Sequence, residues 1–93
     1  MSGYAVAPDV AWLEVPDQVE PTAVAARVPD GPPLALNGPS AVIWLCAVEG
    51  GDADDVVDRV ADVAGEHPDT VSPAVRSFLT ELVSLGLLTH TSG

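Results

Sequence analysis

Between Val10 and Leu36, short runs of β-branched and aromatic residues are separated by breaks that contain proline. Runs of this length, bounded by proline, glycine and aspartate, are typical of strands rather than helices. Consecutive strands joined by short turns form an antiparallel meander, so the third strand is expected to have an open edge. The predicted strands are Val10–Val15, Ala23–Val28 and Leu34–Leu36, and Asp30-Gly31 is the predicted hairpin turn between the second and the third.

After Leu36 the pattern becomes helical. Pro39 suits the first turn of a helix, and the residues from Ala41 to Val48 are apolar on every side, which predicts a central buried helix. This first helix is expected to run to about Glu49. Gly50-Gly51 then ends it.

Two further helices follow in the sequence. Asp52 is a suitable N-cap for the second, which stops at Gly65, and residues 66–70 are predicted to form a turn. The third opens at Ser72-Pro73, reaches Leu85 and ends on Gly86. The pair Leu87 and Leu88 is expected to fold back on it as a hydrophobic lock.

The order of these elements predicts an α+β fold, a three-stranded antiparallel sheet followed by three helices. The chain has 93 residues, of which 47% are hydrophobic. That length suits one domain with one core. We therefore expect a single domain over residues 1–93, with a core at about 10–89 and flexible termini.

The third helix carries more apolar surface than one small core needs. Leu79 and Val83 lie outside its main apolar arc, on a flank beside Ser72 and Arg76. This second stripe indicates a binding surface, and the alternative is that Leu79 and Val83 pack on the domain's own sheet. The main arc covers about 80° and is expected to face the core; it contains Val71, Val75, Phe78, Leu82 and Leu85.

Charge narrows the class of partner. Fourteen acidic residues face three arginines and no lysine, which gives a formal net charge of −11. Nucleic acids and anionic membranes are repelled by such a surface, so the partner is expected to be a protein, a peptide or a small molecule. The stretch from Ala41 to Val48 is too short to cross a bilayer, and no signal-peptide pattern is present, which predicts a cytoplasmic protein.

Side chains for catalysis or metal binding are few. Cys46 lies within the apolar helix and is expected to be a buried, reduced thiol, and His67 and His90 lack partners at ligand spacing. The acidic run from Asp52 to Asp55 fits a helix start better than a cation site. We therefore predict no enzyme activity, no metal and no cofactor.

Several segments together resemble the PqqD family. They are Leu36-Asn37, Ala41–Leu45 with its Trp44, Gly50-Gly51, and the ending from Phe78 to Leu88. Their order and spacing carry the resemblance, which spans nearly the whole chain from about Val10 to Thr89. The chain departs from the family pattern at the turn after the first helix, where Asp-Gly is more usual than Gly50-Gly51, and in its acidic surface.

The resemblance implies a winged-helix-like domain that binds the leader of a ribosomally made precursor peptide. Such domains present the leader to separate modifying enzymes, such as a leader peptidase, a cyclase or a radical SAM enzyme, in lasso-peptide or PQQ-type pathways. In the family the leader adds a strand to the third strand and inserts apolar side chains beside the third helix. Carried over, the peptide-binding residues are Leu34, Ala35, Leu36, Ser72, Arg76, Leu79 and Val83, with Arg76 as a partner for a leader carboxylate.

Two other functions are compatible with the pattern. A winged-helix DNA-binding regulator has a similar set of elements, but Arg76 is the sole cation of the third helix, which opposes phosphate binding. A homodimerisation module is the second, with Leu79 and Val83 pairing between subunits.

Overall fold

The computed structural model describes residues 3–91. Four strands come first along the chain, three helices follow, and a fifth strand ends it. A three-stranded antiparallel sheet and three helices form the α+β arrangement that the sequence predicts, and a two-stranded sheet is added to it. Residues 1–2 and 92–93, part of the termini expected to be flexible, lie outside the described residues. The elements are β1 (Gly3–Val6), β2 (Val10–Glu14), β3 (Thr22–Arg27), β4 (Leu34–Asn37), α1 (Pro39–Ala47), α2 (Ala53–Ala64), α3 (Pro68–Ser84) and β5 (Leu88–Thr91).

The three-stranded sheet has the order β2-β3-β4, so β2 and β4 are its edge strands. Ala23 and Ala25 of β3 are fully buried, as expected from the alternation of side chains along a strand. They pair with Leu36 and Leu34 of β4 respectively. The face of the sheet that contains these four residues therefore turns toward the helices.

The connection between β3 and β4 is longer than the predicted hairpin turn at Asp30-Gly31. β3 ends at Arg27, and β4 begins only at Leu34. Proline has no N–H to donate to a strand ladder, and the connection contains three prolines, so pairing cannot continue through it. Within the loop the N–H of Gly31 donates to the carbonyl of Arg27 at 2.6 Å.

α1 is the central element of the core. Trp44 is fully buried in it, and Cys46 is buried as the sequence predicts. Arg59 of α2 donates through a terminal guanidinium nitrogen to the carbonyl oxygen of Cys46 at 3.0 Å and to that of Gly50. These bonds satisfy the Cys46 carbonyl in the last turn of α1 and the Gly50 carbonyl in the turn that follows, so Arg59 fixes α2 against the end of α1.

α3 begins earlier than predicted. It starts at Pro68, and Pro73 lies inside it, so the predicted turn at residues 66–70 is wrong over its last three positions. Pro68 suits a first helical position, where no N–H is required. The side chain of His67 accepts a hydrogen bond from the N–H of Asp69 at 3.1 Å and caps the helix.

The end of α3 confirms the predicted hydrophobic lock. The N–H of Leu87 donates to the carbonyl of Leu82 at 3.0 Å, and that of Gly86 donates to Val83 at 3.0 Å. Leu87 and Leu88 are both buried. Beyond this lock, β5 pairs antiparallel with β1, an addition that the sequence did not predict.

Candidate functional site

The outer edge of β4 is open. Within residues 3–91, β3 is the strand that pairs with β4, and nothing pairs with its other side. Leu36 is buried beneath the sheet, whereas Leu34 and Ala35 are exposed. The three strand residues predicted to bind a peptide therefore divide into one core residue and two accessible ones.

Hydrogen-bond directions along β4 follow from one contact. The N–H of Gly38 donates to the carbonyl of Pro21 at 2.8 Å, so the main chain of Gly38 points toward β3. Main-chain groups alternate in direction along a strand, so Ala35 and Asn37 direct their N–H and C=O groups to the open edge. Pro33 occupies the next outward position and has no N–H. The edge thus offers two N–H donors, from Ala35 and Asn37.

The rotation of α3 differs from the one that the sequence predicts. Leu79, expected on a free flank, is 0% exposed and belongs to the core with Val75 and Leu82. Leu85, expected to face the core, is 49% exposed. At 100° per residue the centre of the buried arc lies roughly 50° from the predicted centre. The placement of Leu79 outside the core is therefore wrong, and so is its pairing between subunits.

Two cavities show which flank of α3 faces β4. One, of about 210 Å³, is lined by Leu34 together with Leu85 and Leu87. The other, of about 570 Å³, is lined by Gly38, directly after β4, and by residues of all three helices, among them Val71 of α3. The start of β4 thus lies near the end of α3, and the end of β4 lies near the beginning of α3.

We call the space between the edge of β4 and this flank of α3 the groove. On this flank, Val71, Ala74 and Phe78 of α3 and Leu85, directly after the helix, fall within an arc of about 60°. The half-buried Phe78 lies on the same arc as the cavity-lining residues and between them along the helix. The cavity-lining residues of this flank are apolar except for Thr70, which also lines the larger cavity together with the buried Val75.

The other predicted helix residues lie on the opposite flank. Arg76 donates through Nε to the hydroxyl of Ser72 at 2.9 Å, and its guanidinium also pairs with Asp54 of α2. Val83 is half-buried against the core. The structure therefore does not bring Ser72, Arg76 and Val83 together with β4.

Each of the three arginines already has a partner in the described part of the chain. Arg27 lines the smaller cavity and donates to the carboxylate of Asp9 at 3.0 Å. Arg76 pairs with Asp54, and Arg59 bonds main-chain carbonyls. Arg27 is thus the cation at the groove, a position that the sequence pattern gave to Arg76.

Chemical groups for catalysis are sparse in the described residues. Burial raises the pKa of the Cys46 thiol, to which the nearby Glu49 carboxylate also contributes, while Arg59 acts in the opposite direction. A protonated, buried thiol is a poor nucleophile.

No group of three or more His, Cys, Asp or Glu side chains in residues 3–91 is placed to hold a metal ion. Over the same residues no helix has both the length and the apolar character that a membrane span requires.

Comparison with protein families shows the family to which the chain belongs. A sequence model of the family described as "Coenzyme PQQ synthesis protein D (PqqD)" matches residues 22–88. The chain belongs to the PqqD family. The match runs from the start of β3 to the start of β5 and so includes every element that forms the groove. No curated protein and no solved structure matched the chain.

Membership of the PqqD family supports a role in the synthesis of PQQ or of another ribosomally made, modified peptide.

Three groove residues are missed by the sequence pattern, which assigns all of them to the core face. They are Val71, Phe78 and Leu85. Their spacing contains the needed signal, because they repeat every seven residues along one side of the helix. The spacing does not show which side of this apolar arc is covered by the rest of the domain.

Proposed function

We propose that this PqqD-family protein is a non-catalytic binder that takes the leader of a ribosomally made precursor peptide as a fourth strand on β4. One observation carries the proposal: the edge of β4 presents main-chain groups of Ala35 and Asn37 beside an apolar groove. An extended peptide supplies the groups that such an edge lacks.

When a peptide adds as a strand, main-chain hydrogen bonds supply affinity and side-chain cavities supply selectivity. The N–H groups of Ala35 and Asn37 bind peptide carbonyls whatever the side chains are, and each net bond is worth about 0.5–1.5 kcal/mol. The cavities at the two ends of the groove then select apolar side chains of the peptide. Pro33 removes a donor at the start of the edge, which limits pairing with unrelated strands.

The bound leader is presented to a separate enzyme in the same pathway. Leader peptidases, cyclases and radical SAM enzymes are the candidate classes, in a PQQ-type or lasso-peptide pathway of the cytoplasm. A winged-helix-like fold is part of this proposal and is supported by the order of three sheet strands followed by three helices. Of the residues predicted to bind the peptide, the proposal keeps Leu34 and Ala35, assigns Leu36 to the core that supports the strand, and replaces the helix set with the groove flank.

Calorimetric titration tests the proposal. Overlapping 15-residue peptides covering the precursor encoded beside this gene are titrated into the protein, and at least one is expected to bind with a Kd below about 100 μM. Ala35→Pro removes one outward N–H without touching the bonds to β3, and Ala35→Val keeps that N–H as the matched control. The proline variant is expected to bind about 2- to 10-fold more weakly than the valine variant. Absence of heat with every peptide contradicts the proposal.

A further inference from the structure

A carboxylate stands at one end of the groove. Oε2 of Glu20 lies 3.1 Å from the position that a Cβ on Gly38 would occupy. Gly38 follows β4 directly and lines the larger cavity with Pro21 and Pro39. The Glu20 carboxylate therefore lies beside Gly38 at the margin of the larger cavity, next to the end of β4.

This carboxylate has no partner among the residues that the structure describes. The main-chain oxygen of Glu20 accepts a bond from the Thr22 hydroxyl at 3.1 Å, but its side chain forms neither a hydrogen bond nor an ion pair. The chain's three arginines are bound elsewhere, and its net charge is −11. Negative charge at this end of the groove is thus left uncompensated.

We infer that the peptide segment that occupies the groove is basic as well as apolar, with a lysine or arginine side chain that meets Glu20 above Gly38. The inference rests on the proposed function and names the chemistry of its ligand. A peptide cation beside the larger cavity is stabilised by the nearby Glu20 carboxylate. The acidic surface of the domain also attracts a basic segment from a distance.

An acidic segment finds little to bind it. Arg27, the cation at the smaller cavity, already donates to Asp9. Asp30 lines the adjoining cavity beside Arg27, so the local charge there is negative in total. Charge complementarity therefore favours a basic peptide at both ends of the groove.

The experiment compares two acidic residues that differ in position. Glu20→Gln and Asp58→Asn each remove one negative charge; Glu20 lies beside Gly38, and Asp58 is exposed on the side of α2 opposite the residues that line the larger cavity. The probe is the tightest-binding 15-residue peptide of the precursor, and each of its lysines and arginines is replaced in turn by glutamine. Calorimetry at 50 mM and 300 mM NaCl gives the affinities.

We expect Glu20→Gln to weaken binding by about 2- to 5-fold and Asp58→Asn to change it by less than about 1.5-fold. One lysine- or arginine-to-glutamine peptide should show the same loss with the native protein and no further loss with Glu20→Gln. Binding should also weaken at the higher salt concentration. Equal effects of the two protein variants, or a tightest peptide that is acidic, overturn the inference while leaving peptide binding intact. Absence of binding by every 15-residue peptide instead overturns the proposed function.

Discussion

Leu34, at the start of β4, and Leu85, directly after α3, line the same cavity although they are far apart in the sequence. The side chain of Leu85 is 49% exposed, and that of Leu34 is 36% exposed. The fully buried leucines of the core are Leu79 and Leu82 of α3 and Leu88 of β5, so the core does not depend on burial of Leu34 or Leu85. The pair is therefore available to an apolar side chain from outside the domain.

Replacement of Leu85 tests this relationship. Leu85→Ser is expected to weaken binding of the precursor peptide by about 3- to 10-fold, because the peptide loses part of an apolar contact. The matched control is Leu13→Ser, which removes a leucine of similar exposure, 57%, from β2 at the other edge of the sheet. Calorimetry should show native affinity for the control. Equal losses in both variants argue against the groove as the binding surface.

Leu79 should behave as a core residue. Leu79→Ala is expected to lower the free energy of unfolding by about 2–5 kcal/mol, because the side chain is fully buried and its loss leaves a cavity. Arg76→Ala, one turn away on the exposed flank, should cost less than about 1 kcal/mol, since its ion pair with Asp54 is exposed to solvent. Urea unfolding followed by circular dichroism measures both. A small effect of Leu79→Ala contradicts its assignment to the core.

The start of α2 is held by a reciprocal pair of bonds. The N–H of Asp55 donates to the side chain of Asp52 at 3.0 Å, and the N–H of Asp52 donates to that of Asp55 at 3.1 Å. Asp52→Ala is expected to cost about 1 kcal/mol of stability, because the N-cap acceptor is lost. Asp58→Ala, in the exposed middle of the same helix, is the charge-matched control and should change urea unfolding by about 0.5 kcal/mol or less.

Stability should fall at alkaline pH through Cys46. Burial raises the pKa of this thiol in the folded protein, so the unfolded chain ionises first as pH increases. The stabilisation is complete below the ordinary thiol pKa of 9.0 and is lost as pH rises through the folded value. Urea unfolding at pH 7, 9 and 10 should show a steeper decline for the native protein than for Cys46→Ala. Parallel declines of the two proteins contradict this role of the thiol.

The elements with local signals could be predicted from the sequence. Each helix has a signal that lies within one or two turns of the chain, so the sequence pattern marks it directly. These signals are the apolar residues on all sides of α1, the Asp52 cap of α2 and the glycine after α3. β1 and β5 have four residues each and are stabilised by pairing across almost the full length of the chain. Such pairing leaves no local pattern to detect.

The candidate site was only half predictable for a related reason. The open edge at Leu34–Asn37 follows from strand order, which short turns dictate. The flank of α3 that faces this edge depends on a rotation of roughly 50°, and an apolar arc of about 160° permits either orientation. Packing against α2 and β5 decides between them, with Leu79 turned inward and Leu85 outward.

The pairing of β1 with β5 sets Gly3 opposite Thr91, so the two ends of the described chain are neighbours. Residues paired across an antiparallel ladder have Cα atoms about 4.5–5.5 Å apart. A linker of a few glycines can therefore join the ends, and new ends can be opened in the exposed connection at residues 16–20. The same proximity makes the domain suitable for grafting into a single surface loop of another protein, with β4 and α3 left uninterrupted.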